Sequence, residues 1–350
     1  MQSEILRVVE ESSRKLFQTS CPPVKYWLLK GIMEKADDDP VLMQTVEECK
    51  HYPPRLRLLR LMREDGTWPI PRQRKLKEDA GPGPPIGWTY ITMLRNLYHL
   101  ADCCTKRSEG AVQRCLDRIL GWQTDEGFVP GPWTAAFPIP HYNGYALRNL
   151  LAFGMGGNPA VRKMEKWLQG MQRHDGGWNI PYQQDMRYRP KYAHLTMHGF
   201  MQAIERGDVD DYDPADYDDI PSCIWSTMMV VRGFSWDPEM ERQEFLRRGA
   251  DFMLDRFFRR NHHPSFLQSE KNWTTLKYPT YFGSGLCALE ILSSMGYGPD
   301  DERMEKPIRW LLNARRSDGF WYQSRRPQPD KDQWITEIAI NILHMYSKLR

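Results

Sequence analysis

The strongest candidate for chemistry in this sequence is a stretch of aspartates that spans residues 208–219. It holds seven Asp in twelve positions, and the pattern Asp-x-Asp-Asp occurs in it twice, at 208–211 and at 216–219. Clustered carboxylates raise one another's pKa, so that one of them can stay protonated at neutral pH and act as a general acid. The second copy is better placed, because the apolar segment that begins at Ile220 is predicted to be a buried helix. A solvated acidic loop that caps this helix through the helix dipole is the alternative interpretation.

Aromatic residues form a second group of candidates, and many of them lie at the starts of predicted helices. The chain contains 13 Trp and 16 Tyr. Aromatic faces can stabilise a bound cation or enclose an apolar ligand. The residues that we expect to bind substrate are Trp88, His141, Tyr142, Tyr145, Tyr192, Trp225, Tyr278, Tyr281 and Trp334. The alternative is that they fill the core, as large aromatic side chains do in most proteins.

Possible metal ligands occur in the sequence, but their spacing does not predict a metal site. His194 and His198 are four residues apart and could share one helix face, yet Leu195 stands where a zinc-protease helix carries its glutamate. His99 and Asp102 lie at the end of a predicted helix, which we expect to be too far from a central cavity to reach it. We therefore predict no metal and no cofactor.

The elements that must position these residues are marked by a short repeat. A phrase built on Asp-Gly and a following aromatic residue occurs at 63–68, 172–178 and 316–321, with a weaker copy at 123–128. The unit is roughly 50–60 residues long, which is enough for one helical hairpin with its loops. The gap before the last copy leaves room for one more, and we interpret 261–266 as its remnant.

Two kinds of helix alternate around these phrases. An amphipathic helix precedes a phrase, as Val161, Met164 and Leu168 show by their helical spacing. A helix that is apolar around its circumference follows, and such a helix is buried on most sides. These inner helices are predicted at 88–100, 142–155, 220–234, 283–295 and 334–349, while 192–205 is either a sixth or an insertion. The alternation predicts an all-α fold, an α/α toroid of about five to six inner helices.

The toroid is expected to form one domain over residues 1–350, although the length alone would suggest two domains. Residues 1–24 are predicted to form an N-terminal helical segment that packs on the ring.

The complete phrase, Gln172 with Gly176 and Trp178, resembles the QW repeat of squalene–hopene and other triterpene cyclases. The same toroid carries the β-subunits of protein prenyltransferases. The resemblance extends along the chain and is greatest to prokaryotic prenyltransferase-like proteins of mostly unassigned chemistry. This sequence departs from the repeat where Met62 and Arg315 replace Gln and where Val129 replaces Trp.

The resemblance implies roles for the acidic stretch and for the aromatic residues. Class II terpenoid cyclases protonate an alkene or epoxide from an Asp-x-Asp-Asp motif at the start of an inner helix. By position, Asp218 is then the proton donor, and Asp216 and Asp219 support it. An isoprenoid or other small lipid is the implied substrate, bound in a central cavity with aromatic walls.

Composition limits the other partners. The 48 Lys and Arg nearly balance the 45 Asp and Glu, which argues against a nucleic-acid-binding protein. No apolar run reaches 18 residues, so no transmembrane helix is expected, although the basic residues between 55 and 77 allow peripheral membrane contact. Seven Cys without CxxC spacing and without a secretion signal indicate reduced thiols and a cytoplasmic protein. The oligomeric state is not predicted.

The function that we expect is that of an isoprenoid-handling enzyme that resembles class II terpenoid cyclases. One alternative is a non-catalytic toroid that binds a lipid or a protein. Another is a carbohydrate-active toroid, a hydrolase or lyase, which needs two carboxylates that face each other across a cleft. Asp185, Glu337 and the acids of 208–219 could supply those carboxylates.

Overall fold

The computed structural model describes residues 1–70, 87–131, 138–179, 190–192, 194–195, 199–200, 202–203, 206–209, 219–261, 270–280 and 283–349. Within these ranges the chain forms thirteen α-helices and no β-strand. The prediction of an all-α fold is confirmed.

The helices are numbered in chain order. They are α1 (Gln2–Thr19), α2 (Pro22–Trp27), α3 (Pro40–Lys50), α4 (Pro53–Leu61), α5 (Gly87–Asp102), α6 (Val112–Gly121), α7 (Pro140–Ala152), α8 (Pro159–Gly170), α9 (Ile224–Gly233), α10 (Glu244–Leu254), α11 (Gly285–Ser294), α12 (Glu305–Asn313) and α13 (Pro329–Lys348). A π-helical turn at Leu28–Ile32 follows α2. No helix in these ranges is both long enough and apolar enough to cross a membrane.

Local sequence explains where several helices begin. Six of them start with proline, whose fixed φ suits the first turn and whose missing N–H has no helical partner to lose. Asn158 caps α8 as its position predicts, because its side-chain oxygen accepts a hydrogen bond from the backbone N–H of Ala160 at 2.8 Å. Asp39 caps α3 in the same way.

The five predicted inner helices correspond to α5, α7, α9, α11 and α13. Each of the first four packs against the next inner helix along the chain. Every residue of α9 is buried, as are most residues of α7 and α11. The amphipathic helices lie outside them: α6 packs on α5, α8 on α7, α10 on α9 and α11, α12 on α11, and α1 on α13. A toroid requires these contacts between neighbouring inner helices, and the closed ring itself stays a prediction.

The repeated phrase forms the same turn in each described copy. Its glycine takes a positive φ, between 80° and 107°, at positions 66, 127, 176 and 319. The tryptophan then donates its indole N–H to the carbonyl ten residues earlier, from Trp68 to Leu58, Trp178 to Leu168 and Trp321 to Leu311, at 2.7–2.8 Å. These bonds hold the turn to the preceding amphipathic helix, so the repeat has an architectural role.

The glutamine of the phrase joins neighbouring hairpins. Gln172 Nε2 donates to the carbonyls of Gly176 (2.8 Å) and Phe245 (2.6 Å), and Phe245 belongs to the next outer helix. Arg315 takes over part of this role, because its Nε donates to the carbonyl of Gly319 at 3.3 Å. The replacement of Gln by Arg therefore preserves a hydrogen bond across the turn.

One copy of the repeat was missed by the sequence pattern. Its expected remnant, 261–266, lies outside the described residues except for Asn261. The buried indole of Trp273 donates to the carbonyl of Arg259 at 2.7 Å, which is the bond that the other copies make over a shorter loop. Trp273 therefore supplies the tryptophan of this copy.

Candidate functional site

All five inner helices contribute to one cavity of about 290 Å³. Each of them provides one charged side chain: Asp102 from α5, Arg148 from α7, Arg232 from α9, Glu290 from α11 and Glu337 from α13. On the first four of these helices, the charged residue lies in the later turns. The sequence had led us to expect that the first turns of the inner helices would surround the cavity. The expectation that Asp102 lies too far along its helix to reach the cavity is wrong.

Asp102 and Arg148 form the first ion pair of the cavity. Arg148 Nη2 lies 2.8 Å from Asp102 Oδ1, and both side chains are almost completely buried. The phenol of Tyr278 donates a hydrogen bond to the other carboxylate oxygen, Oδ2, at 2.9 Å. Both oxygens of Asp102 therefore accept a hydrogen bond, as a buried carboxylate requires.

Arg232 and Glu290 form the second ion pair. Arg232 Nη1 and Nη2 lie 2.6 and 3.3 Å from the two carboxylate oxygens of Glu290, which is a two-pronged ion pair. Arg232 Nη2 also donates to the phenol oxygen of Tyr98 at 2.6 Å. Burial raises the pKa of Tyr98 and of Tyr278, so both phenols stay neutral near pH 7.

Glu337 is the third carboxyl of the cavity, and it differs from the other two. Its side chain is buried, with 7% of the residue exposed, and in the described part of the chain it makes neither a hydrogen bond nor an ion pair. Burial raises the pKa of Glu337 well above its usual value, and the negative charges of Glu290 and Asp102 raise it further. Of the three carboxyls, Glu337 is therefore the one that most readily keeps a proton, while its two neighbours are paired with arginines.

Aromatic rings form much of the remaining wall, from Trp27, Tyr98, Trp236, Tyr278 and Trp334. Tyr278 and Trp334 stack in parallel with ring centroids 5.0 Å apart, and Trp27 meets Trp236 edge-on at 5.8 Å. Of the nine aromatic residues expected to bind substrate, Tyr278 and Trp334 line this cavity. Tyr98, Trp27 and Trp236 were missed.

Six of the other candidates lie elsewhere in the described residues. Tyr145 is next to the cavity wall, with its ring edge-on to Tyr98 at 5.9 Å. Trp88 is 40% exposed. His141 and Tyr142 are half-buried at the start of α7, and the remaining two pack in the core, Tyr192 on Phe200 and Trp225 on Trp273.

The acidic stretch is mostly outside the described residues, as are Asp216, Asp218, Tyr281, Asp185 and His198. Asp219 is described and is exposed to solvent, away from the cavity formed by the inner helices. Among the residues that the structure covers, no group of three or more His, Cys, Asp or Glu side chains is arranged to hold a metal ion.

A second, larger cavity of about 820 Å³ adjoins the first. Tyr278 and Trp334 line both cavities, so their stacked rings form a shared wall. Apolar side chains such as Leu58, Leu61 and Trp68 line the other side. His99 also faces this cavity, and burial lowers its pKa, so its imidazole is neutral at pH 7.

The sequence contains one signal that would have located the smaller cavity. Arg148, Arg232 and Glu290 are each the one Asp, Glu, Lys or Arg in a largely buried helix, and Glu337 interrupts the buried apolar stretch of α13. A charge in such a helix is costly unless it meets a partner or lines a cavity. Four such charges in four inner helices therefore predict a shared polar site.

The cavity combines a carboxyl with a raised pKa, two ion-paired carboxylates and five aromatic rings. This set can donate one proton and can surround a developing positive charge with aromatic faces. No protein-family model and no curated protein sequence matches this chain, so the geometry and the chemistry of the cavity are the basis for a functional proposal.

Proposed function

We propose that the protein is an enzyme that protonates an isoprenoid in the cavity formed by the inner helices, with Glu337 as the general acid. The observation that carries the proposal is the position of Glu337, a buried carboxyl without a cationic partner that faces an aromatic-lined cavity. The resemblance of the repeat to that of class II terpenoid cyclases supports the choice of substrate and an α/α toroid as the fold.

The reaction needs one proton and no cofactor. The carboxyl O–H bond of Glu337 breaks, and the π electrons of an alkene take up the proton to form a C–H bond and a carbocation. Another double bond of the same substrate attacks this cation and forms a ring. Loss of a proton from the product cation completes the reaction, and Glu337 regains a proton. The aromatic faces stabilise the cation.

The ion pairs favour this reaction over glycoside hydrolysis. A glycosidase needs a second carboxylate that acts as a base or nucleophile. Both oxygens of Asp102 accept hydrogen bonds from Arg148 and Tyr278, and both oxygens of Glu290 accept from Arg232. Each of these carboxylates is already engaged by an arginine and is therefore poorly placed to attack a sugar.

The carbohydrate-active alternative keeps one observation in its favour, which is that three carboxyl groups surround a single cavity. It predicts turnover of a glycan and no product from an isoprenoid.

The larger cavity supports an apolar substrate. The smaller cavity lies at the lower end of the roughly 300–1,000 Å³ that ligand pockets usually occupy. A hydrocarbon chain that reacts beside Glu337 can extend toward the apolar cavity beyond Tyr278 and Trp334. All seven cysteines are free thiols, which supports a reducing compartment such as the cytoplasm as the location.

The test is product formation from a panel of linear polyprenols, polyprenyl diphosphates and squalene, analysed by mass spectrometry for cyclised products, with a parallel panel of oligosaccharides. Glu337→Gln keeps the size of the side chain and removes the acidic proton, so we expect product formation to fall by at least 100-fold. Glu4→Gln, at an exposed position of α1, is the matched control for loss of a carboxylate. A Glu337→Gln enzyme that remains fully active would refute the assignment.

Asp218→Asn separates the two candidate acids. If Glu337 is the donor, this variant keeps its activity. Loss of product in Asp218→Asn together with an active Glu337→Gln would instead assign the proton to the acidic stretch.

A further inference from the structure

Tyr98 occupies the space between the two guanidinium groups of the smaller cavity. The guanidinium carbon of Arg148 lies 3.8 Å from the centre of the phenol ring, in a cation–π contact. Arg232 Nη2 donates to the phenol oxygen at 2.6 Å, and that oxygen lies 2.5 Å from Thr280 Oγ1. One side chain therefore contacts both cations of the site.

The same contacts account for the direction of Arg232. An arginine can donate hydrogen bonds but cannot accept them, so each N–H that leaves water needs an acceptor. Nη1 is directed to Glu290 and lies near Cys287 Sγ at 3.3 Å, while Nη2 is shared between Glu290 and Tyr98. Neither terminal nitrogen of Arg232 donates to Glu337.

The terminal nitrogens of Arg148 likewise donate to groups other than Glu337. Its Nη2 donates to Asp102, and its Nη1 donates to the backbone carbonyl of Tyr98 at 3.4 Å. Each of the four other inner helices thus contributes one charged group that faces Glu337 in the cavity, and these are Asp102, Arg148, Arg232 and Glu290. Of the N-terminal helices, α2 contributes the uncharged Trp27 to the cavity and α1 contributes no lining residue.

From this arrangement we propose that the phenol of Tyr98 is a positioning group, which holds the guanidinium of Arg232 on Glu290 and away from the carboxyl of Glu337. Tyr98 then keeps the general acid protonated without contacting the proton itself. Its importance for catalysis rests on the proposed function, whereas its effect on Glu337 can be measured without any substrate.

Tyr98→Phe isolates the hydroxyl. The ring remains beneath Arg148, but Arg232 Nη2 loses an acceptor in a buried site and turns toward Glu337, the carboxyl that lacks a partner. An opposite charge within about 4–6 Å typically lowers the pKa of a carboxyl by about 1–3. We therefore expect the pKa of Glu337 to fall by about 1 or more, and the high-pH limit of activity to move to lower pH by the same amount.

The direct measurement is a carboxyl ¹³C NMR titration of the full-length protein, with the Glu337 signal assigned by its absence in Glu337→Gln. Thr280→Val is the matched control, because it removes the other neighbour of the phenol and leaves the acceptor for Arg232 in place. We expect its Glu337 pKa to equal that of the wild type. The double variant Tyr98→Phe, Arg232→Met removes the cation that is free to move, and its Glu337 pKa should lie above that of Tyr98→Phe alone.

An unchanged Glu337 pKa in folded Tyr98→Phe overturns the proposal, and so does an equal fall in Thr280→Val. Should Tyr98→Phe be too unstable to titrate, Tyr98→Leu removes the same acceptor and must give the same fall. The two proposals can fail separately: a shifted pKa without any isoprenoid product would refute the function and leave the role of Tyr98 intact.

Discussion

The raised pKa of Glu337 predicts how the stability of the protein depends on pH. The ordinary pKa of this carboxyl is 4.5, which we take for the unfolded chain, and burial together with two neighbouring carboxylates places the folded value well above it. At a pH between the unfolded pKa and the folded pKa, the folded protein binds one proton more than the unfolded chain. The slope of the unfolding free energy with pH is proportional to the number of protons bound by the unfolded state minus the number bound by the folded state. Because the folded state binds more protons in this range, the slope is negative.

The stability that Glu337 contributes is thus fully present below pH 4.5 and is lost as the pH rises toward the folded pKa. One proton of difference corresponds to about 1.4 kcal/mol for each pH unit. Glu337→Gln cannot ionise, so it does not lose this stability. The unfolding free energy of the variant minus that of the wild type should therefore increase from pH 5 to 7, by up to about 1.4 kcal/mol per pH unit.

The assay is urea denaturation of both proteins at half-unit steps from pH 5 to 8, followed by circular dichroism. Comparing the variant with the wild type cancels the titration of all other groups that the substitution leaves unchanged. Glu4→Gln on the exposed side of α1 controls for the change in net charge. A difference between Glu337→Gln and the wild type that stays constant from pH 5 to 7 would show that Glu337 is ionised in the folded protein, and the general-acid assignment would fall with it.

Two further predictions concern the groups around the cavity and the repeat. Asp102→Asn leaves the buried guanidinium of Arg148 without its counter-charge. We expect this variant to lower the unfolding free energy by about 3–5 kcal/mol in the same urea assay. A loss below about 1 kcal/mol would mean that water already solvates this ion pair. Gly176→Ala places a Cβ 2.7 Å from the carbonyl oxygen of Arg248 at a φ of +86°, so we expect a loss of at least 1–2 kcal/mol, roughly the cost of the left-handed conformation alone. Gly170→Ala, in the last turn of α8 with open space around it, is the control and should be neutral or stabilising by about 0.5–1 kcal/mol; equal melting temperatures for the two alanine variants would contradict the role of the turn.

The cavity shows where prediction from sequence ended. The acidic stretch was the most conspicuous cluster of carboxylates in the chain, and it drew the assignment of the acid to Asp218. The carboxyls that meet in the described cavity are single residues on three helices, Asp102, Glu290 and Glu337, separated by more than forty positions in the sequence. No spacing rule connects residues so far apart, because their proximity arises from helix packing.

Aromatic candidates were predicted with mixed results for a related reason. Tyr278 and Trp334 do line the cavity, but Trp88 is largely exposed and Trp225 packs on Trp273 in the core. A position in the first turn of an inner helix places a residue among the inner helices. It does not say which end of the helix borders empty space, and in this protein the cavity is bounded by later turns of α5, α7, α9 and α11.

The sequence by itself determined the features that depend on residues close to one another along the chain. These are the all-α class, the five inner helices, the Asn158 cap and the Asp-Gly turn with its tryptophan, since each follows from helix periodicity, from capping, or from the freedom of glycine to take a positive φ. Tertiary packing alone decided that Asp102 meets Arg148 and Tyr278, and that Glu290 meets Arg232. It also left Glu337 without a cation among three carboxyls, and burial and like charge disfavour the ionised form of that group.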